Sequence, residues 1–227
     1  MTFLTHPRAF EVFFKAYDDE LGLREVYRFM RPVFGAGVVY DAQSSEVMME
    51  QLRFVTGSLT VPRFRLFTGI FEEEVKLKFA KMGDQGEADV FDILSNLIIY
   101  TASRCLLGHE IRHYLEDKNL GQLYHDLDEG ISALSFFYPW LPSKQRDVAC
   151  KKVFQIFQAL IDERRKNMDE VHEDVLDTLI RSTYKSGEKL PDAHICGILL
   201  AGLFAGQHTS SIASSWTLML ILSNPEI

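Results

Sequence analysis

Residues 195–225 read ICGILLAGLFAGQHTSSIASSWTLMLILSNP, a run without a single Asp, Glu, Lys or Arg. Apolar residues fill both halves, Ile195 to Ala205 and Ile212 to Leu222, around one polar island, Gln207-His208-Thr209-Ser210-Ser211. Asp192 after Pro191 offers an N-cap and Asn224-Pro225 a stop. A single helix over Asp192–Leu222 is therefore predicted, about 46 Å long at ~1.5 Å per residue. A helix apolar on every face belongs inside a large protein or in a membrane. A membrane span has the length it needs. Against it stands the mid-span island, with Ser214 and Ser215 behind it, because polar groups there need partners. The favoured reading is the central helix of a mainly α protein, a helical bundle built around this rod. The island is then its working part, since burying Gln207, His208 and Thr209 together costs free energy without partners or a wet cavity.

One stripe of the rod is small: Ala201, Ala205 and Thr209 recur at i, i+4 and i+8, with Gly202 and Gly206 beside them. Such a stripe leaves room for something flat and large. Close helix–helix packing is the plainer alternative on spacing alone. The Thr209 hydroxyl is also within reach of the Ala205 carbonyl, which loosens a helical turn.

The 227 residues are 47% hydrophobic, enough for one sizeable core and no clear second domain. Net charge is −8 with no basic cluster, which argues against a nucleic-acid partner. Cys105, Cys150 and Cys196 are far apart and odd in number, so neither a disulfide framework nor a CxxC zinc pattern follows. A reducing compartment is the mild inference. No signal peptide opens the chain, as His6-Pro7-Arg8 interrupts the apolar start. Both ends are abrupt, which predicts a fragment.

Along the chain, Pro7 to Lys15 starts a helix, and Leu23 to Met30 forms a short one closed by Pro32. Gly35 and Gly37, among bulky apolar neighbours, read as a loop pressed close to something. Ser44 or Ser45 caps the next helix, Thr60 with Pro62 starts another, and Asp89 and Gly108 bracket a third. The run Glu72-Glu73-Glu74 reads most simply as a solvated face. Leu120 to Leu134 is amphipathic, Ser143 caps a long helix, and its end at Arg164-Arg165-Lys166 suits a C-terminal dipole without any ligand. Cys105 reads as a small core residue.

Residues 205–211, AGQHTSS, resemble the oxygen-binding motif on the central helix of cytochromes P450, and His before Thr resembles the sterol 14α-demethylase family in particular. Residues 27–41, YRFMRPVFGAGVVYD, are similar to the loop after that family's second helix, a long and specific match. Matches at 94–111, 121–130, 173–185 and 197–217 extend the resemblance over nearly all of the chain, though not over all of the family's fold. The resemblance implies one incomplete P450 domain over residues 1–227, from the second helix through the central helix. It implies a haem-thiolate monooxygenase that removes the sterol 14α-methyl group with O2 and NADPH-derived electrons, delivered by a P450 reductase or a ferredoxin.

Site roles follow from the same resemblance. Tyr27 and Tyr40 would contact haem. Arg53 would stand in for a propionate-binding Lys, although Leu52 beside it cannot pair with an anion. Ala205 and Gly206 would give the ring face its clearance. Phe29, Met30, Phe34 and Phe204 would bound the sterol, and His208 and Thr209 would manage proton delivery, a role that suits an imidazole. From the local sequence alone, core packing of the aromatic loop is the plainer reading. Phe136–Leu141 would touch membrane over the substrate entrance, with a buried loop as the alternative. Residues 101–108, TASRCLLG, and 203–211, LFAGQHTSS, resemble eukaryotic members more than bacterial ones, which implies a parent on the endoplasmic reticulum membrane; a bacterial parent would be cytoplasmic.

Two features cut against activity in this chain alone. No cysteine lies in a loop resembling the family's haem-ligand loop, whose thiolate drives O–O cleavage. The two ExxR strings, Glu25 to Arg28 and Glu50 to Arg53, fall in the wrong segments. The 227 residues are therefore expected to be inactive by themselves, and a non-catalytic helical or partner-binding fragment is the competing class. A third reading rests on His109-Glu110-Ile111-Arg112-His113, a formal HExxH zinc-hydrolase string. Gly108 before it predicts that the histidines straddle a helix start, and a third ligand could only be guessed at His125 or Glu129. A metal site is accordingly not expected.

Overall fold

The computed structural model describes residues 5–17, 20–83, 85–118, 120–131, 137–138, 142–224 and 226, with only the backbone at Leu23. Helices dominate, and among the described residues the β structure is one isolated bridge, Thr183 to Lys189, around the turn at Gly187. The elements are α1 (Pro7–Lys15), α2 (Leu23–Tyr27), α3 (Arg31–Phe34), α4 (Ser45–Ser58), α5 (Val61–Phe79), α6 (Val90–Leu107), α7 (Ile111–Asp117), α8 (Leu120–Glu129), α9 (Lys144–Lys166), α10 (Val175–Arg181) and α11 (Asp192–Ser223).

Local chemistry explains most of these bounds. Ser44, Asp89, Ser143 and Asp174 each accept a hydrogen bond from the backbone N–H three residues on, at the starts of α4, α6, α9 and α10. Gly108 ends α6 at φ 88°, where a side chain is disfavoured. Two expectations are corrected here. Pro32 does not close a helix: a 3-10 turn at Arg28–Met30 runs on into α3, and Pro32 sits in its first turn, where its missing N–H costs nothing. Asp192 is the first helical residue of α11, not its cap, and its carboxylate instead accepts from Gln158 and Arg165.

The rod is a single helix, and its two halves have different surroundings. The rod as a whole packs most heavily on α6, then on α9, α10 and α3, and in its first half Ile195, Leu199 and Leu200 are fully enclosed. Beyond the island most apolar side chains are exposed, Trp216 at 62% and Leu222 at 68%. The core is one connected cluster running from Val33 through Tyr124, Phe157 and Leu176 to Phe204. That places the first half of α11 inside protein and makes it the floor of whatever site the fold holds.

Charged groups inside this core correct two further readings. Glu74 is not solvated: it is 3% exposed and accepts from Arg104 at 2.6 Å and from Arg112. Arg164 is likewise no dipole ornament, for its guanidinium donates to both oxygens of Glu110, at 2.8 and 2.9 Å, and to Asp174 at 2.8 Å. Burial is the largest single influence and would raise the Glu110 carboxyl, but the Arg164 hydrogen bonds, a backbone hydrogen bond and the neighbouring positive charge together outweigh it and hold the group below its ordinary range.

The same clamp answers the zinc reading. Gly108 ends α6 and α7 begins at Ile111, so His109 lies before the helix and His113 on it, both strongly exposed. Glu110, which would serve as base, is committed to Arg164, and His113 lies 3.1 Å from Asp117. The guessed third ligands, His125 and Glu129, share a surface cluster with Asp126 on α8.

Candidate functional site

An apolar cavity of about 480 Å³ lies between the segment Tyr27–Tyr40, α4 and the small-residue face of α11. Its walls include Tyr27, Phe29, Met30, Phe34, Tyr40, Phe204 and Ala205, seven residues singled out from the sequence, now brought together. Val39, Leu52, Val55, Thr56, Ile198, Ala201 and Gly202 complete it. The volume falls within the ~300–1,000 Å³ of small-molecule sites.

The segment is shaped for this by its glycines and aromatics. Gly35 and Gly37 take φ 94° and 75°, letting the backbone double back over α11. A Cβ on Gly197 would lie 2.0 Å from the Phe34 carbonyl oxygen, so only glycine lets the loop rest on the rod there. Tyr27 stacks on Tyr40 with centroids 4.6 Å apart, and Phe34 meets Phe204 edge-on at 6.0 Å. Burial, then the neighbouring Tyr27, raises the Tyr40 hydroxyl above its ordinary value, so it stays a protonated donor at neutral pH.

Four of the residues singled out from the sequence stand outside this cavity. Arg53 is on the exposed side of α4, and it is Leu52 that faces the cavity, so the wall offers no cation at that position. Gly206 lines a second apolar cavity, of about 460 Å³, between α5, α6 and α11. Thr209 continues the Ala201–Ala205 stripe by one turn and is exposed, its hydroxyl donating to the Ala205 carbonyl at 2.8 Å. His208 is turned toward α8, with Nε2 2.9 Å from an Asp128 carboxylate oxygen, while its ring touches Phe204. Asp128 and Gln51, a buried amide behind the wall, were not legible as site residues, since their partners are distant in sequence. Most of Phe136–Leu141 lies outside the described residues; Phe137 and Tyr138 are exposed.

The lining suits a flat apolar ligand, with Ala201, Gly202 and Ala205 as a low floor and two tyrosine hydroxyls for a polar edge. That fits one side of a haem. It does not fit thiolate ligation from within this chain. None of the three cysteines lines the cavity; burial pushes Cys105 and Cys196 up to about 12 and Cys150 up to about 11, keeping each a thiol.

Comparison with known proteins gives the family. The chain is 42% identical over 220 residues to the sterol 14-demethylase of Arabidopsis thaliana, covering 96% of this chain and 44% of that protein. It is 41% identical over 220 residues to the lanosterol 14-alpha demethylase of Bos taurus, covering 95% and 43%. It thus spans less than half the length of these relatives. Among solved structures, the retinoic acid bound cyanobacterial CYP120A1 superposes with a TM-score of 0.73 at 16% identity, over 88% of this chain and 45% of that one. The family model described as cytochrome P450 matches residues 1–227. The helical rod, the loop folded over its small-residue face and this match from end to end converge: the chain belongs to the cytochrome P450 family.

Proposed function

We propose that these residues form the sterol-facing and haem-facing wall of a monooxygenase of the sterol 14α-demethylase type. The observation that carries the proposal is the cavity itself: Tyr27, Phe29, Met30, Phe34, Tyr40, Phe204 and Ala205 line one apolar space against the central helix. Similarity to sterol and lanosterol 14-demethylases supports the substrate class. Their plant and animal sources favour an endoplasmic reticulum setting, and NADPH-derived electrons would arrive through a separate donor protein.

A haem held here would supply activation of O2. The chain's own residues would do the rest. Tyr27 and Tyr40 would donate to its propionate edge, and Ala201, Gly202 and Ala205 would keep the floor clear. Phe29, Met30, Phe34 and Phe204 would exclude water and orient the sterol. His208, with Asp128 behind it, and Thr209 would hold and move protons at Nε2 and Oγ1. The thiolate ligand would come from polypeptide outside these 227 residues, so this stretch alone is expected to be inactive.

Sterol titration of the complete haem-loaded protein tests this, with Met30→Trp, at a residue read as sterol-facing, as the blocking variant. Loss of the sterol-induced Soret shift, with the CO-reduced thiolate band intact, is expected. Unchanged sterol affinity in Met30→Trp would refute the site. His208→Ala and Thr209→Ala should alter turnover or peroxide leakage; if neither does, the proton roles are wrong. A thiolate-type band from the 227 residues alone with haemin would overturn their proposed inactivity.

A second reading, a non-catalytic helical module that pairs with another chain, is favoured by the exposed apolar half of α11, Trp216 to Leu222. Monodisperse behaviour of the isolated chain in light scattering would count against it.

A further inference from the structure

Behind the cavity wall sits an amide with no exposure at all. Gln51, on α4, is 0% exposed, and its two ends grip both sides of the loop backbone. Oε1 accepts from the Val39 N–H at 2.6 Å, and Nε2 donates to the Gly37 carbonyl at 2.9 Å and to the Tyr184 hydroxyl at 2.9 Å. Because the Tyr184 oxygen accepts that hydrogen bond, its own O–H is free to point at His194 Nδ1, 3.0 Å away on the first turn of α11. Burial lowers the His194 pKa, leaving a neutral ring whose Nδ1 can accept. The loop closes against the same ring: a Cβ on Gly37 would lie 2.9 Å from His194 Nε2.

The gripped residue is strained. Val39 has φ 46°, left-handed backbone that a β-branched side chain strongly disfavours, and it is the one non-glycine residue with positive φ among those described. Strain of this kind persists only where the surroundings over-determine it. Here the Val39 N–H is held by Gln51, and Val39 and Tyr40 next to it both line the cavity.

We propose that Gln51 is the positioning residue of the ligand cavity, an amide clamp that holds Val39 in its strained conformation and thereby places Tyr40 and Tyr27. It touches no ligand. The role rests on the reading of this cavity as the sterol site, and it demands both ends of a carboxamide. Leucine would fill the space but leave the Val39 N–H and Gly37 carbonyl unpaired, and a carboxylate could accept but not donate.

Two measurements separate the clamp from the site. Amide hydrogen exchange in the complete haem-loaded protein reads the clamp directly. Gln51→Leu should speed exchange at Val39 at least tenfold while Leu199, inside α11, keeps its protection. Sterol affinity should fall about tenfold or more with the CO-reduced thiolate band retained. Tyr184→Phe, which removes one hydroxyl, is the milder second variant should Gln51→Leu not fold, and it should give smaller changes in the same directions. Unchanged Val39 exchange in the variants, or equal acceleration at Val39 and Leu199, would overturn the clamp. Faster Val39 exchange with sterol affinity unchanged would overturn the positioning role. A wild-type protein that binds no sterol would sink the function proposed above, and exchange at Val39 would still decide the clamp.

Discussion

Replacing Arg164 with Met should destabilise the fold about as much as a large apolar deletion in the core. The Arg164 side chain is 4% exposed, and it answers two carboxylates, Glu110 at 19% and Asp174 at 9% exposure. Methionine fills much of the volume but strands both anions. Breaking a buried pair by removing one partner costs ~3–5 kcal/mol. Partial exposure of Glu110 argues for the lower end, about 3 kcal/mol, or a fall in Tm of roughly 6–12 °C for a chain of this size. Thermal melting by circular dichroism measures it. The triple variant Arg164→Met, Glu110→Gln, Asp174→Asn should recover most of the loss, since no charge is left unpaired and the asparagine side chain can still cap α10. Acid adds a signed test. Glu110 has a depressed pKa in the fold, so its contribution is full above its unfolded value of about 4.3 and is lost as pH falls through the folded value. The gap between wild type and Arg164→Met should therefore narrow below about pH 4. A single-variant loss under ~1 kcal/mol, or a gap that widens in acid, would refute the reasoning.

Glu74→Gln should destabilise by about 2–3 kcal/mol by thermal melting, because Arg104 and Arg112 lose their shared anion, Arg112 being partly solvated. Gly197→Ala should cost ~1–3 kcal/mol, since its methyl meets the Phe34 backbone rather than a movable side chain. The same variant should weaken sterol binding in the complete protein. Cys105 and Cys196, raised to about 12, and Cys150, raised to about 11, should resist iodoacetamide at pH 7 in the folded chain. Mass spectrometry should show all three modified in denaturant, and Cys150, the least buried, first as pH is raised.

Features that depend on neighbours in sequence were legible: the caps at Ser44, Asp89 and Ser143, the glycine stop at 108, and the rod with ends within a residue or so of those expected. Pro32 misled because proline closes one helix and opens the next with equal ease, and only the following backbone decides. Half of the cavity wall came from family resemblance, as an aromatic loop by itself reads more plainly as core. What could not be read were partnerships across the fold. Glu74 meets residues 30 and 38 positions away, Arg164 meets one 54 away, and His208 meets one 80 away. In each case a charge run or a lone imidazole gives no local hint that an opposite group is waiting inside.

The hydroxyls of the central rod have one last implication. Thr209, Ser211, Thr217 and Ser223 each donate to the carbonyl four residues back, at 2.6 to 2.8 Å. These polar atoms are thus appeased within their own turn, and the outer half of α11 offers a neighbour chiefly hydrocarbon. Whatever lies along it is chosen mainly by contour, with the Trp216 N–H and the hydroxyls' remaining lone pairs as its few polar handholds.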